Sequence, residues 1–144
     1  MPQASAVRSP AHARQYATPP FVCSWEICDW GAAWVQVAGE LDLATSPQFR
    51  RTLGEAQRAV PLVVLDLREL SFIDSSGIHV ILDVDSDAQR EEGRLLILRG
   101  PAQVDRMLTL TEVGKQVMLF DLPPAEPAPG LLHAAPRGVE KEVA

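Results

Sequence analysis

Buried-strand patterns and amphipathic-helix patterns alternate along the middle of this chain. Residues 62–67 form an apolar run interrupted by a single acid, as expected for a strand that is covered on both faces. Residues 94–98 repeat that pattern. Amphipathic helical spacing follows each run, over about residues 75–91 and from Pro101 to about residue 110. This alternation predicts parallel strands joined by helical crossovers.

The segment before residue 62 predicts a hairpin and a helix. Residues 21–27 and 34–38 are predicted strands joined by a turn, after which residues 39–42 leave the sheet. A helix then runs to about residue 59. Its start is indicated by Thr45 or Ser46 as N-cap, with a proline behind it.

The sequence also indicates where the second predicted helix ends and where the last strand lies. Gly93 is expected to be a left-handed C-cap of that helix. Residues 117–120 are a short final strand. The predicted fold is α/β, a single domain with a mixed sheet of four to five strands, parallel core strands and about three to four helices.

Composition separates a folded region from two tails. The chain has 144 residues and 47 % hydrophobic content, which suits one domain with a real core. Residues 1–20 and 123–144 hold most of the prolines and little periodic apolar pattern. We expect a disordered N-terminal tail, a domain at residues 21–122 and a flexible Pro-rich C-terminal tail.

Charge and cysteine content exclude several classes of function. A formal net charge of −6 argues against direct nucleic-acid binding and against binding to an anionic membrane. No apolar run is long enough to span a bilayer, and residues 1–20 lack a secretory signal, so we expect a cytoplasmic location. Cys23 and Cys28 fall on opposite faces of a strand, which predicts small buried thiols and neither a disulfide nor a metal cluster.

The Asp-Ser-Ser-Gly segment at residues 74–77 carries the most informative candidate chemistry. It follows a predicted strand and opens a helix, so Ser75 and Ser76 lie on the first helical turn. Backbone N–H groups at that point lack intrahelical partners and tolerate a phosphate well. A serine there can be charged without unfolding its domain, as a reversible switch requires. The alternative is an ordinary N-cap followed by a small residue.

Enzymatic and metal-binding interpretations of this region are weaker. A nucleophilic serine needs a general base, and His79, the one histidine in the folded region, is expected to point to solvent. Residues 83–87 resemble the opening of a calcium loop but lack its glycine and its final glutamate. They are predicted to form a solvated acidic helix face. We expect no catalytic activity, no metal and no cofactor.

The Gly-Glu-Leu-Asp segment at residues 39–42 gains interest from its position. If the strand before it lies parallel to residues 62–67, both strands end at one edge of the sheet, and Asp42 shares a surface with Ser75. The three tryptophans, Trp25, Trp30 and Trp34, are better explained by hairpin packing than by ligand stacking.

Together, residues 39–42, 65–67 and 70–78 resemble the STAS domain, and more narrowly the bacterial anti-sigma factor antagonists. The resemblance covers roughly residues 20–122. It implies an anti-sigma factor serine kinase as partner, which holds a sigma factor inactive. The unphosphorylated antagonist binds the kinase and frees sigma, phosphorylation breaks that binding, and a serine phosphatase resets it.

Motif matching places the implied site residues. The phosphorylated serine falls on Ser75, with Ser76 as the second choice, and the aspartate before the phosphosite is Asp74. The helix-opening glycine is Gly77 and the acidic loop residue is Asp42. These five residues and His79 are the expected partner-binding set.

His79 departs from the pattern, because many relatives carry glycine or another small residue there. The second helix is also unusually acidic at residues 83–87. Both features could tune which kinase is recognised. The rival hypothesis is a STAS module that binds a small ligand or acts as a scaffold without phosphorylation, with both serines as caps and His79 at a ligand rim.

Overall fold

The computed structural model describes residues 20–122, which form a five-stranded sheet and four helices. The strands, in chain order, are β1 Val22–Ile27, β2 Ala33–Leu41, β3 Leu62–Ile73, β4 Arg94–Leu98 and β5 Met118–Phe120. The helices are α1 Ser46–Ala59, α2 Ser75–Arg90, α3 Ala102–Thr109 and the short α4 Val113–Gln116. No helix in this part of the chain is both long enough and apolar enough to cross a membrane.

The spatial order of the strands is the same as their order in the chain. β1 pairs with β2 in an antiparallel hairpin, and the pairs β2–β3, β3–β4 and β4–β5 are parallel. The prediction of a mixed sheet with a parallel core is confirmed. Each parallel connection contains at least one helix, because the chain must return to the opposite end of the sheet.

All four helices contribute to one core cluster against a single set of strand side chains. α1 buries Phe49, Leu53 and Ala56, while α2 buries an apolar stripe that includes Ile81 and Val84. The strands meet them with alternate residues, as the two-residue period of a strand requires.

The other face of the sheet carries a smaller cluster, which includes Trp34, Val64 and Leu98. Trp34 is fully buried, and Trp30 packs edge-on against it with ring centroids 6.0 Å apart. This packing supports the prediction that these tryptophans are structural. Because both clusters contain side chains from β3, the central strand is covered on both faces, as predicted.

The two strands that lead to the candidate site are longer than predicted. The expectation that residues 39–42 leave the sheet was wrong for residues 39–41, because β2 continues to Leu41. β3 likewise extends to Ile73 instead of ending near residue 67. Two register shifts lie in this extension, and Gly39 has a positive φ of 98°. Such bulges break the two-residue alternation, which hides the strand from pattern analysis.

Helix ends account for the remaining differences. Gly93 was predicted as the left-handed C-cap of α2, but Glu92 has the positive φ, 60°. Gly93 serves a different need, since a Cβ there would lie 2.7 Å from the carbonyl oxygen of Pro61. The predicted number of three to four helices is confirmed, but the position of α4 was not identified from the sequence. The predicted tails at residues 1–20 and 123–144 lie outside the described residues, apart from Pro20.

Candidate functional site

The ends of β2 and β3 meet at the edge of the sheet where α2 begins. Leu41 and Ile73 are register partners, and the backbone N–H of Asp74 donates to the carbonyl of Leu41 at 3.1 Å. Asp42 and Asp74 therefore follow two paired strand ends directly. The prediction that Asp42 and Ser75 share one edge of the sheet is confirmed.

Asp74 is the N-cap of α2. Its backbone is extended, and its Oδ1 accepts a hydrogen bond from the N–H of Ser76 at 2.8 Å. A carboxylate at this position satisfies one of the unpaired N–H groups and carries a negative charge at the positive end of the helix. The capping role that one hypothesis gave to the serines thus belongs to Asp74.

Ser75 is the first residue of α2, and it is exposed. Its hydroxyl makes no hydrogen bond to any of residues 20–122. Ser76 is half-buried. Ser75 thus presents an accessible hydroxyl, while the hydrogen bond to a general base that an activated nucleophile needs is missing within the described range.

Gly77 brings α2 against the sheet. An ideal Cβ on this residue would lie 2.6 Å from Leu41 Cγ and 2.9 Å from Ile73 Cγ1. Any residue other than glycine would therefore require a shift of these buried neighbours. The glycine of the motif therefore fixes how closely the first turn of α2 approaches the ends of β2 and β3.

Asp42 organises the turn between β2 and α1. Its Oδ1 accepts hydrogen bonds from the N–H groups of Ala44 and Thr45, at 3.0 and 3.1 Å. The Thr45 hydroxyl donates to the carbonyl of Glu40 at 2.9 Å. Thr45 is the N-cap residue of α1, as predicted, but it makes no side-chain cap bond of its own. Asp42 has a structural role that sequence reasoning missed, although the Asp-x-x-Thr spacing signals it.

Two large apolar side chains next to these acids are exposed. Leu43 follows Asp42 in the turn and is 76 % exposed, and Phe72 precedes the end of β3 and is 44 % exposed. Both add exposed apolar area to this edge of the sheet. Neither residue was singled out from the sequence.

His79 is exposed and lies one helical turn after Ser75. Residues four apart lie on the same face of a helix. The prediction that this imidazole reaches solvent is confirmed, and the structure adds that it shares the face of Ser75.

The acidic segment of α2 is only partly a solvated face. Residues 83–87 are helix interior, as predicted. Asp83 pairs with Arg50 of α1 at 2.9 Å, and Asp87 pairs with Arg90. The prediction was wrong for Asp85, which is buried and accepts hydrogen bonds from two glutamine side chains, Gln89 at 2.7 Å and Gln116 at 3.3 Å.

Across residues 20–122, His, Cys, Asp and Glu side chains form no group that could hold a metal ion. The site consists instead of two serine hydroxyls, two carboxylates, an imidazole and two exposed apolar groups. Such a surface suits protein contact and modification.

Comparisons with known proteins agree with this geometry. The STAS domain model matches residues 30–123, a range that contains every predicted site residue. The chain belongs to the STAS domain family. An anti-sigma F factor antagonist from Paenibacillus polymyxa is 32 % identical over 93 residues, which cover 63 % of this chain and 80 % of that protein.

Solved structures share the fold of this STAS domain. The anti-sigma factor antagonist SpoIIAA in its unphosphorylated form superposes with a TM-score of 0.61 at 23 % identity, over 70 % of this chain and 88 % of that one. The Bacillus protein SpoIIAA in its phosphorylated form gives a TM-score of 0.55 at 23 % identity, over 72 % and 91 %. The predicted resemblance of this chain to the anti-sigma factor antagonists of the STAS family is confirmed.

Proposed function

We propose that this STAS domain is a phosphorylation-controlled anti-sigma factor antagonist. Without phosphate on Ser75 it binds an anti-sigma factor serine kinase and so frees a sigma factor. Phosphorylation of Ser75 ends that binding, and a serine phosphatase restores it. The observation that carries the proposal is the exposed, unbonded Ser75 hydroxyl at the start of α2, next to Asp74 and the turn of Asp42.

The proposed docking surface comprises the turn of Asp42 and the first turn of α2. Asp42, Asp74, Ser75, Ser76 and His79 are exposed or half-buried, and each can contact a partner. Gly77 is buried, so its part is to hold the first turn of α2 in place. The neighbouring Leu43 and Phe72 add apolar contact area.

Charge repulsion provides the release step. The domain has 16 acidic and nine basic residues between Phe21 and Leu122. A phosphate adds about −1.5 to −2 charges. If the resulting repulsion in the interface costs roughly 3–4 kcal/mol, binding weakens by about two to three orders of magnitude.

The free domain tolerates the same phosphate. Ser75 is exposed at a helix N-terminus, where a negative charge interacts favourably with the helix dipole. No core side chain has to move to admit it. Association is lost while the fold is retained, so the switch needs no large conformational change.

The test compares Ser75→Ala with Ser75→Asp in binding to the anti-sigma kinase of the same organism. The alanine variant should bind permanently in the presence of ATP, and the aspartate variant should bind poorly. Ser86 offers a matched control, since it is another exposed serine of α2. Ser86→Ala and Ser86→Asp should both behave as the unmodified chain, and equal affinity of the two Ser75 variants would falsify the proposal.

Intact-mass measurement separates this proposal from a ligand-binding or scaffold module. After incubation with ATP and the kinase, the unmodified chain should gain one phosphate, and Ser75→Ala should gain none. If Ser75→Ala still gains a phosphate and Ser76→Ala does not, the acceptor is Ser76. No phosphate on any variant would favour the unphosphorylated module.

A further inference from the structure

His79 lies where its side chain can reach a group attached to Ser75. The two residues are four apart in α2, and both are exposed. Cβ atoms at this spacing are about 5–6 Å apart. Helical side chains also tilt towards the N-terminus, so a residue covers the turn before its own Cα. At this spacing the imidazole of His79 is within reach of the surface next to the Ser75 hydroxyl.

The two chain segments that form the site carry no lysine or arginine that could pair with a phosphate on Ser75. Asp74 already accepts the N–H of Ser76, and its carboxylate already occupies the positive end of the helix. Residues 39–49 and 71–82 contain three acids, Glu40, Asp42 and Asp74, and neither lysine nor arginine.

The next charges along the same face are already paired with each other. Asp83, one turn beyond His79, forms an ion pair at 2.9 Å with Arg50, which reaches across from α1. His79 itself forms no ion pair or hydrogen bond with any of residues 20–122. Its imidazole is thus available for a new anion one turn away.

We propose that His79 is the counter-charge of phosphorylated Ser75, and that this pair stabilises the doubly charged form of the phosphate. The inference rests on the proposed function, because it concerns the same serine. Phosphoserine gains its second negative charge above about pH 6, and a neighbouring cation favours that doubly charged form. Pairing with His79 therefore lowers the pH at which the phosphate on Ser75 gains its second charge.

The test measures the second ionisation of the phosphate directly. Phosphoserine is inserted at residue 75 during translation, so no kinase is needed, and its ³¹P resonance is followed against pH at 0.15 M salt. The titration midpoint should be lower in the unmodified chain than in His79→Gln by about 0.15–0.4 pH unit. His79→Lys, which supplies a permanent cation, should keep the low midpoint.

Phosphoserine at residue 86 provides the matched control. It lies on the same helix, seven residues beyond His79, and His79→Gln should leave its midpoint unchanged. In urea, the midpoints for residue 75 should coincide in all variants, because the pairing depends on the helix. Equal midpoints in the folded unmodified chain and His79→Gln would overturn the inference.

The two proposals fail separately. Should no kinase phosphorylate Ser75, the proposed switch fails while the ³¹P titration still answers whether His79 contacts a phosphate there. Should the kinase experiment succeed and the midpoints coincide, only the role of His79 is lost.

Discussion

The side chain of Leu41 fills the space that a Cβ atom on Gly77 would need, since an ideal Cβ there would lie 2.6 Å from Leu41 Cγ. Leu41 ends β2 and is fully buried, so it cannot swing away into solvent. The hydrogen bond from Asp74 to the Leu41 carbonyl holds the same junction from the backbone side. The position of Ser75 relative to Asp42 is therefore set by close packing as well as by chain connectivity.

Gly77→Ala should destabilise the domain. Alanine favours a helix, but the added methyl group collides with Leu41 and Ile73, and overpacking of this kind costs about 1–3 kcal/mol. Urea unfolding measures the change. Gly54→Ala is the control: Gly54 lies inside α1, where an ideal Cβ has Arg58 Nη1 as its neighbour at 3.4 Å. That variant should gain up to about 1 kcal/mol. Equal behaviour of both variants would contradict the packing argument.

The two thiols should be unreactive in the folded domain. Burial raises the pKa of Cys23 to about 11, although a hydrogen bond with Thr52 partly opposes that rise, and burial also raises the pKa of Cys28. Both side chains are free cysteines. At pH 8 a disulfide reagent should modify two thiols per chain quickly in urea and very slowly without it. A full equivalent of rapid reaction in native buffer would contradict this prediction.

The same pKa shift predicts a loss of stability at high pH. Below about pH 9 both the folded and the unfolded chain keep the Cys23 proton, so stability does not depend on it. Between about pH 9 and 11 the unfolded chain loses that proton first, and the free energy of unfolding falls as pH rises. Cys23→Ala should show a smaller decline over this window, measured by urea unfolding at each pH. An unchanged decline would assign it to other groups.

The parallel core and the start of α2 could be predicted because their signals are local. Residues 62–67 form a strand that both clusters cover, and the Asp-Ser-Ser-Gly segment opens a helix where expected. The extension of β3 to Ile73 could not be predicted in this way. It depends on pairing with the distant end of β2 across register shifts, which breaks the alternation of apolar and polar residues.

The roles of the side chains at the site also differ in whether a local sequence signal predicts them. The exposure of Ser75 follows from its place at a helix start, whereas the cap role of Asp74 and the turn role of Asp42 depend on which backbone groups lack partners. Asp85 belongs with the features that were missed: the acidic segment predicted a solvated side chain, but Asp85 is buried, and a hydrogen bond from Gln116 of a distant element makes that burial tolerable.

Arg68→Met should be among the most destabilising single changes on the sheet face that carries the smaller cluster around Trp34. Arg68 donates to both carboxylate oxygens of Asp66, at 3.1 and 3.0 Å, and Trp34 Nε1 donates to Asp66 at 3.1 Å. Asp66 is buried, so loss of the guanidinium leaves a poorly compensated charge and costs about 3–5 kcal/mol.

The double variant Asp66→Leu with Arg68→Met tests the reason for that loss. It removes the buried charge together with its partner and should lose less stability than Arg68→Met alone. Urea unfolding of both variants gives the comparison. A double variant as unstable as the single one would show that packing of the Arg68 stem, and not the unpaired carboxylate, dominates.

Asp42 permits a separation of folding from partner binding, because its side chain accepts hydrogen bonds within the turn through Oδ1. Asparagine retains an oxygen at that position and removes the charge, while alanine removes both. Asp42→Ala should therefore lose about 0.5–2 kcal/mol of stability, as for other lost caps, and Asp42→Asn should stay close to the unmodified chain. Under the proposed function the asparagine variant should nevertheless bind the anti-sigma kinase less tightly, since a charge at the docking surface is gone. A stable Asp42→Asn variant with undiminished affinity would restrict Asp42 to holding the turn.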